Sequence, residues 1–523
     1  MDAASIPHTQ FPETTRFFAD YIYHFDRVRA FYGHDPRDPS AFRAAAEAID
    51  YPDERRAALV EALHEQNGDS PTLEALARPG TLVVATGQQV GLFSGPALSV
   101  YKALTAVKVA RHLTGAGLAA VPVFWLASED HDCDEVNHCW VFDAAHQPVR
   151  IEAPAPDAAR RPVGGIPVPL AAVEQLRQAL REFPWGEQVS ELVAEAYGPG
   201  TTFGSGFRRL LGRLLAPYGL LLVDPMQPGV RRLAAPLVGR ALGLDLNRQL
   251  RERGEELLAA GYHAQVRVEE RTFLLFLLEE GRRLALRREE GGLAAGGRRY
   301  GPVELAGRAE ELSPNALLRP VIQDYVLPTV AGVFGPAELA YLAQAEVIYR
   351  QLLGRMPVAV PRWSATLVDG RSARLVDRYG LQLTDFFQGE DALRERIAAR
   401  LVPPAVRTKL DEASSQAERL LEDLGATLAG FDPTLEAAFH KSRGKILYQL
   451  SKIARKAARE TFRRDERAQQ DAAGLVRLIY PHRHPQERFY SILPFLARHG
   501  LDLIGRLYEE IRLDSPDHRV VIL

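Results

Sequence analysis

Short apolar runs alternate with helical patterns through the first half of the chain. Residues 81–85 and 121–127 are apolar, rich in β-branched side chains and bounded by Gly or polar residues, which predicts two buried strands. Between them, apolar residues recur every three or four positions over 97–113, which predicts a helix that starts after Pro96. Strand, glycine-containing loop and helix in this order are typical of a Rossmann-type unit. A further strand is predicted at 220–223.

Two insertions into this α/β core are predicted from segments with a different pattern. Residues near 140–200 are rich in Pro and irregular, so they are interpreted as a loop-like insertion. Residues near 255–310 contain alternating runs at 262–268, 271–278 and 282–288, separated by charged and Gly-rich turns. That alternation predicts an antiparallel meander. The stretch 10–80 predicts helices.

The pattern changes to long helices after about residue 385. Three–four spacing predicts an antiparallel helical hairpin with a coiled-coil seam, with a helix stop and start at 430–433. The seam residues are Leu410, Ala413, Ala417, Leu420, Leu424, Leu435, Phe439, Ile446, Leu450, Ile453 and Ala457. The predicted plan is therefore a Rossmann-type core over 1–384, a helical coiled-coil domain over 385–474, and a C-terminal segment over 475–523 that returns to the core.

Composition and charge narrow the classes of partner. Hydrophobic residues make up 46% and charged residues 25% of the 523 positions, and the formal net charge is −3. This balance is typical of a soluble globular protein with no global attraction to nucleic acid or to an anionic membrane. The basic stretch 441–467 also contains acidic residues and few aromatics, so a solvated coiled-coil face is the better interpretation.

The two cysteines, Cys133 and Cys139, point to a reducing compartment. They exclude a disulfide framework and a four-cysteine zinc site, and their spacing favours a packing role. The N-terminus lacks the pattern of a signal peptide, and no apolar run is long enough to span a bilayer. The expected location is the cytoplasm.

The first candidate site segment follows the first predicted strand. Its glycines allow a ligand to approach the backbone, and the N-terminus of the next helix favours an anion. The alternative is a tight strand–helix turn without a ligand. The candidate binding residues are Gln88, Gln89, Gly91, Gly95, Pro96, Tyr101 and Lys102.

The second segment is a dense cluster of ionisable groups at the end of the second predicted strand, where open α/β sheets bind ligands. One interpretation is a divalent-metal site formed by His131, Asp132 and His138. Another is a polar pocket that holds an amine and supplies a base. A solvated loop is the third. The cluster contains Glu129, Asp130, His131, Asp132, Asn137 and His138.

Two further segments carry candidate binding residues. In the stretch 313–341, Asn315 and Arg319 share a helix face, and Arg319 is a candidate ligand for carboxylate or phosphate. Helix capping and internal ion pairing are the alternative. The stretch 480–495 either forms a second pocket or docks the tail onto the core. The remaining candidates are Gln323, Gly335, Glu338, Arg362 and Arg488.

Several of these segments together resemble the cysteine-adding ligases of bacillithiol biosynthesis. The matching stretches are TGQQVGLFSGPALSVYKALTAVKVA (86–110), VPVFWLASEDHDCDEVNH (121–138), LSPNALLRPVIQDYVLPTVAGVFGPAELAYLAQ (312–344), MPVAVPRWS (356–364) and YPHRHPQERFYSILPFL (480–496). The resemblance implies a core similar to class I aminoacyl-tRNA synthetases and nucleotidyltransferases. It also implies connecting-peptide insertions and a coiled coil that forms a homodimer.

The resemblance also implies the reaction, in which L-cysteine is added to the amine of glucosaminyl-malate to give bacillithiol. ATP with magnesium is the expected activating cofactor, and no tightly bound metal is expected. In this scheme Lys102 and the loop 88–96 stabilise phosphate, while residues 129–132 hold the amine and supply a base. Asn315, Arg319 and Arg362 bind the malate carboxylates.

Two other functions stay open from the residues alone. One is a metal-dependent hydrolase that uses the cluster from Glu129 to His138. The other is a non-catalytic nucleotide-binding coiled-coil protein.

Overall fold

The computed structural model describes residues 5–156, 158–289, 292–432 and 434–523. The strands are β1 Ser5–Ile6, β2 Leu82–Gln89, β3 Ala120–Ala127, β4 His138–Phe142, β5 Pro148–Glu152, β6 Leu221–Val223, β7 Thr272–Glu279, β8 Arg282–Glu289, β9 Gly292–Ala295, β10 Arg298–Tyr300, β11 Leu312–Pro314, β12 Thr329–Phe334, β13 Val358–Pro361, β14 Ala365–Val368 and β15 His518–Ile522.

The helices of the first 363 residues surround these strands. They are α1 Arg16–Tyr23, α2 Pro39–Glu47, α3 Asp53–Asn67, α4 Pro71–Ala77, α5 Leu98–Gly115, α6 Cys133–Val136, α7 Leu170–Leu180, α8 Gly186–Ala196, α9 Phe203–Leu215, α10 Pro228–Leu242, α11 Leu246–Ala259, α12 Pro302–Gly307, α13 Arg319–Val326 and α14 Pro336–Leu352.

The later helices build the C-terminal part. They are α15 Gly370–Tyr379, α16 Leu383–Phe386, α17 Glu390–Leu401, α18 Pro404–Phe431, α19 Leu435–Arg464, α20 Glu466–Ile479, α21 Gln486–Phe489, α22 Leu493–His499 and α23 Leu503–Glu510. Within the described ranges, none of the helices is both apolar enough and long enough to cross a membrane.

A five-stranded parallel sheet in the order β13-β12-β2-β3-β6 forms the centre of the fold. The first strand of this sheet, β2, lies in the middle and leads through α5 to its neighbour β3. The next strand, β6, lies at the edge beyond β3, and β12 and β13 then add to the other side of β2. This order is that of a doubly wound Rossmann sheet, whose switch point lies between β2 and β12. The predicted Rossmann-type core is confirmed.

Both faces of the sheet are covered because alternate side chains of each strand point to opposite sides. In β3, Val121, Val123 and Trp125 pack into one hydrophobic core, while Phe124 and Leu126 pack into another. The apolar run that predicted this strand is therefore continuous because the strand is buried on both faces.

Glycine at position 87 lets β2 and β3 stay in register up to the ends of both strands. Gly87 is paired with Trp125, and a Cβ atom at position 87 would lie 2.6 Å from the Trp125 carbonyl oxygen. Because of this close approach, β2 extends through Gln88 and Gln89. The sequence prediction ended the strand at residue 85, and the loop that it expected therefore begins later.

The two insertions lie at the predicted places but differ in structure. The first, between β3 and β6, consists of the β4–β5 hairpin and helices α7, α8 and α9, so the prediction of an irregular segment near 140–200 was wrong. The second is the predicted antiparallel meander, in the order β10-β9-β8-β7-β11. Residues 262–268 form no strand in it; Tyr262 is instead buried in the core beside α1.

The long helices α18 and α19 form the predicted hairpin, but its inner seam differs from the predicted one. Leu421 is buried and Gly425 lies against Phe439 of α19, whereas the predicted seam residues Leu420 and Leu424 are 69% and 47% exposed. The hairpin thus has an apolar inner seam and a second apolar stripe that faces outward. Part of the predicted turn, Pro433, lies outside the described residues.

The two ends of the described chain meet at a small sheet next to the core. Strand β15 pairs with β1 on one side and with β14 on the other. The segment after α20 packs against the same hydrophobic core as α5 and the first insertion. Residues of this segment are therefore close to the carboxyl ends of the central strands.

We predict that Gly87→Ala destabilises the protein because its methyl group meets the backbone of β3. The free energy of unfolding should fall by about 1–3 kcal/mol, the usual cost of a forced shift in a packed core. Urea denaturation followed by circular dichroism measures the change.

Gly115→Ala is the matched control for this variant. Gly115 ends α5, and a Cβ atom there meets no atom of the described residues within 4 Å. An equal loss of stability in both variants would contradict the role given to Gly87.

Candidate active site

A pocket of about 490 Å³, called the main pocket here, lies at the carboxyl ends of the parallel strands. It spans the switch point between β2 and β12, the usual ligand position in this fold. Its lining residues are Gly87, Gln88, Gln89, Leu98, Lys102, Trp125, Ala127, Glu129, Asp130, His131, Phe276, Arg283, Pro314, Asn315, Ala316, Arg319, Gly335, Pro336, Ala337, Glu338, Tyr341, Arg362 and Arg488.

A buried ammonium group joins the two halves of the sheet at the pocket wall. The Nζ atom of Lys102 lies 2.7 Å from Oε2 of Glu338 and 3.2 Å from Oε1 of Gln88, and it also donates to the carbonyl of Gly87. Burial lowers the pKa of Lys102, and the Glu338 carboxylate opposes that shift. Because three acceptors in the protein use the ammonium hydrogens, Lys102 supplies positive charge to the pocket without a free donor.

The same carboxylate also fixes the start of α14. Oε2 of Glu338 accepts a hydrogen bond of 2.7 Å from the backbone N–H of Gly335, as in a capping box. Gly335 and Glu338 therefore lie in the pocket wall as expected, although Glu338 is occupied by Lys102 and by the helix start.

Arg319 is a cation of the main pocket without an ionic partner among the described residues. Its guanidinium donates 3.2 Å hydrogen bonds to Oε1 of Gln323 and to the hydroxyl of Tyr341, which are both neutral. No carboxylate of the described residues lies within 4.0 Å of it. Asn315 lies beside it, and its amide oxygen accepts from the backbone N–H groups of Leu317 and Leu318. A half-buried, unpaired guanidinium favours an anionic ligand.

The main pocket is also lined by an ionised carboxylate, that of Asp130. Oδ2 of Asp130 accepts a 2.9 Å hydrogen bond from Nε2 of Gln89, and Oδ1 lies 3.5 Å from Nη1 of Arg283. Burial raises the pKa of Asp130, but Gln89 and Arg283 outweigh it and hold the pKa below its usual value. Asp130 is thus an acceptor that stays charged at neutral pH.

His131 is neutral and its tautomer is set by the same arginine. Nη1 of Arg283 lies 3.0 Å from Nδ1 of His131, and a guanidinium can only donate, so Nδ1 accepts and the ring proton is on Nε2. Burial, together with the charge of Arg283, lowers the pKa of His131. His131 therefore presents a donor to the pocket, which favours Asp130 over His131 as a base.

Arg283 is a site residue that the sequence did not indicate. It is 7% exposed, comes from β8 of the second insertion, and also donates to Oγ of Ser313 and to the carbonyl of Pro314. Arg231 of α10 was missed as well; it pairs with Glu129, whose pKa burial raises. No pattern distinguishes these two arginines from the other charged residues around them, since their partners lie far away in sequence.

The C-terminal segment holds Arg362 in the pocket wall. Arg362 pairs with Glu487, which also accepts 3.0 Å hydrogen bonds from Oγ of Ser364 and from the backbone N–H of Ala365. Although burial raises the pKa of Glu487, the charge of Arg362 outweighs it and lowers the pKa. Arg488, the next residue, lines the pocket and is exposed.

A buried histidine completes this network. Since the Ser364 hydroxyl donates to ionised Glu487, it must accept from Nδ1–H of His518 at 2.6 Å, and Nε2 of His518 then accepts from Thr366 at 2.8 Å. Burial lowers the pKa of His518 from 6.5 to about 3. The network thus requires a neutral ring with its proton on Nδ1.

Eight residues that the sequence placed in the site do not line the main pocket. The glycine loop packs into the hydrophobic core, and the Tyr101 ring is buried against Trp363, 4.9 Å between centroids. Asp132 is exposed, and His138 contacts Asn137 instead. Gln323 lies behind Arg319. The eight are Gly91, Gly95, Pro96, Tyr101, Asp132, Asn137, His138 and Gln323.

The described residues support the role predicted for the two cysteines but not the predicted metal site. Cys133 and Cys139 are free and buried, and burial raises the pKa of Cys139 to about 12, so both have the packing role expected. Across the described ranges, no three His, Cys, Asp or Glu side chains form a group that could hold a metal ion. His131, Asp132 and His138 therefore do not come together as the metal interpretation requires.

Two family models cover almost the whole chain. Residues 1–363 match the N-terminal Rossmann-like domain of bacillithiol biosynthesis BshC, and residues 365–523 match its C-terminal coiled-coil domain. The chain belongs to the BshC family. The family resemblance seen in the motifs is confirmed, and so is the combination of a Rossmann-like core with a coiled-coil domain.

Relatives of the BshC family align over nearly their full length. A "Putative cysteine ligase BshC" from Solibacter usitatus is 52% identical and covers 100% of both chains. Relatives with the same name from Koribacter versatilis and Symbiobacterium thermophilum are 37% and 32% identical and cover 99% and 97% of both chains. These names agree with the expected class of enzyme, a ligase that forms a carbon–nitrogen bond.

A solved structure titled "putative arginyl t-RNA synthetase" from Campylobacter jejuni covers 86% of this chain and 98% of its own, at 11% identity. Its TM-score of 0.22 is too low to support an argument about the fold.

We predict that His518 makes the protein sensitive to acid. The unfolded chain binds a proton at this residue below pH 6.5, while the folded protein does so only near pH 3. As the pH is lowered from 6.5 toward 3, the free energy of unfolding should therefore decrease by about 1.4 kcal/mol per pH unit because of this group. Urea denaturation between pH 7.5 and 5 measures it.

His518→Asn, which keeps a donor near the Nδ1 position, separates this contribution from that of other groups. The variant should be less stable than the wild type at pH 7.5, and the difference should shrink by about 2 kcal/mol between pH 6.5 and 5. Denaturation midpoints that fall in parallel in the two proteins would contradict the assignment.

Proposed function

We propose that this protein joins the carboxyl group of L-cysteine to the amino group of glucosaminyl-malate, forming the amide bond of bacillithiol. The main pocket is lined by both an ionised carboxylate, Asp130, and a guanidinium without a carboxylate partner among the described residues, Arg319. This pairing in one pocket is the observation that supports an amine and an anion as neighbouring ligands. Membership of the BshC family and the names of its relatives support cysteine as the acyl component.

ATP with magnesium is the proposed source of activation. A carboxylate does not form an amide with an amine at neutral pH unless its oxygen is converted into a leaving group. The cysteine carboxylate would attack the α-phosphate and release pyrophosphate, and the amine would then displace AMP. Arg319 and the exposed Arg488 have free donors for the phosphate groups, whereas Lys102 contributes charge alone.

Asp130 is the proposed base for the amine. An amine that attacks a carbonyl carbon must lose a proton as the carbon–nitrogen bond forms. The Asp130 carboxylate is held by Gln89 and Arg283, lines the main pocket and stays ionised, so it can accept that proton. The Nε2–H group of His131 is the proposed donor to an oxygen of the acyl group or of the sugar.

A direct assay tests the proposed reaction. The purified protein is incubated with L-cysteine and glucosaminyl-malate, with and without ATP and magnesium, and the thiol product and AMP are measured by mass spectrometry. Formation of bacillithiol with one AMP per product supports the proposal. The absence of any thiol product under all conditions would leave only a binding role for the pocket.

We predict that Asp130→Asn lowers kcat by about 10²–10⁴-fold, the usual contribution of a positioned base. Asn is nearly isosteric, so the pocket keeps its shape but loses the acceptor charge. Asp134→Asn is the matched control, since Asp134 is exposed, lies four residues away and does not line the pocket. Equal activity of the two variants would exclude Asp130 as the base.

We further propose that the outer stripe of the hairpin α18–α19 joins two copies of the chain. Leu420, Leu424, Ile446 and Ile453 lie on this stripe and are 46–69% exposed. The inner seam of the hairpin already uses other apolar residues, so the stripe has no role within one chain. Exposed apolar rows of this kind usually mark protein–protein contacts.

The double variant Leu420→Glu/Leu424→Glu should convert a dimer into a monomer, because it places two charges in the proposed contact. Sedimentation velocity measures the change in mass. Ala426→Glu, at an exposed position on another side of α18, is the control and should leave the dimer intact. A wild-type protein that sediments as a monomer, or a dimer unchanged by the double variant, would contradict this interface.

A further inference from the structure

A second cavity opens next to the main pocket. Its volume is about 790 Å³, and it shares His131, Phe276 and Arg283 with the main pocket. The two cavities therefore meet at the end of the site that contains Asp130. A ligand that reaches Asp130 can extend into either one.

The floor of this cavity is the outer face of the meander, and its rim is basic. Residues at alternate positions of β8 face it, and the small side chain of Ala285 in the middle leaves room above the sheet. Arg287 lies farther along the same strand, and Arg299 follows the turn between β9 and β10. Arg160, from the first insertion, forms the opposite wall. We call this cavity the arginine groove.

The charge of the arginine groove is only partly compensated. Arg299 pairs with Glu289 at 3.2 Å. Among the residues that the structure describes, no carboxylate lies within 4.0 Å of the side chain of Arg160 or Arg287. A concave surface with unpaired positive charges concentrates anions.

Arg160 is held in the groove by the backbone of β8. Its carbonyl accepts a 2.6 Å hydrogen bond from the backbone N–H of Arg283, and its φ angle is +60°. A left-handed conformation is uncommon for a residue other than glycine and persists only where the surroundings maintain it. This backbone connection keeps the first insertion next to β8, so Arg160 and Arg287 line the same cavity.

We propose that the arginine groove binds the carboxylates of the amine substrate. This inference rests on the proposed function. It assigns separate places to the malate dicarboxylate and to the activated cysteine. The amine lies at Asp130, the sugar crosses the shared wall at His131 and Arg283, and the dicarboxylate extends to Arg160 and Arg287. Arg319 and Arg488, which line the main pocket but not the groove, are then left for the activated cysteine. From the sequence, the malate carboxylates are expected at Asn315, Arg319 and Arg362. In the present proposal they bind in the arginine groove instead.

Equilibrium binding tests this assignment without any turnover. Isothermal titration calorimetry measures the Kd of glucosaminyl-malate, alone and with α,β-methylene-ATP, for the wild type and for Arg160→Ala/Arg287→Ala. The double variant should raise Kd about tenfold, since two exposed arginine–carboxylate contacts together contribute about 1.4 kcal/mol. Methyl glucosaminide, which has the amine but no carboxylates, should bind both proteins equally.

Arg282→Ala is the matched control because it removes the same charge from β8 next to Arg283. Arg282 is exposed and does not line the groove, so Kd should stay at the wild-type value. If Arg160→Ala/Arg287→Ala binds like the wild type while Arg319→Ala loses affinity, the groove assignment is overturned and the proposed function stands. If the wild type binds no glucosaminyl-malate under either condition, the proposed function itself fails.

Discussion

The architecture of the site depends on a buried positive charge at the switch point of the sheet. An unpaired ammonium group inside a protein is costly, so the residues around Lys102 must supply acceptors. The end of β2 supplies two of them and the first turn of α14 supplies the third. The end of β2 and the start of α14 thus meet at one cation on the wall of the main pocket.

Most of the charged side chains around Lys102 form ion pairs with one another. Glu338 neutralises Lys102, Glu487 neutralises Arg362 and Arg231 neutralises Glu129, so these pairs shape the wall. Asp130 stays ionised beside Arg283, while Arg319 and the exposed Arg488 have no carboxylate partner among the described residues. A charged side chain in a cleft is therefore informative only after its partner is known, because most of the charges here are already satisfied.

The sequence was sufficient for the features that depend on local pattern. Apolar runs located the strands, and the polar residues at their ends identified Gln89 and Asp130 as site residues. Features that depend on distant partners were not predictable. Arg283 reaches Asp130 from β8, a separation of more than a hundred positions, and its own neighbourhood is full of arginines. The glycine loop was misjudged because Gly and Pro are equally suited to a ligand and to a tight packed turn.

The coiled-coil seam shows a related limit. Both Leu420 and Leu421 are apolar, and three–four spacing alone does not show which of two adjacent stripes faces the partner helix. Such a doubly apolar helix has two surfaces to cover, and only tertiary contacts distinguish them.

The ion pair between Arg362 and Glu487 has a consequence for the way the chain is made. The two residues are 125 positions apart, and ribosomes add about 5–20 residues per second. For several seconds or longer, Arg362 therefore exists without the carboxylate that holds it in the pocket wall. The Rossmann-like domain can condense during this time, but its binding surface is complete only when the last part of the chain arrives.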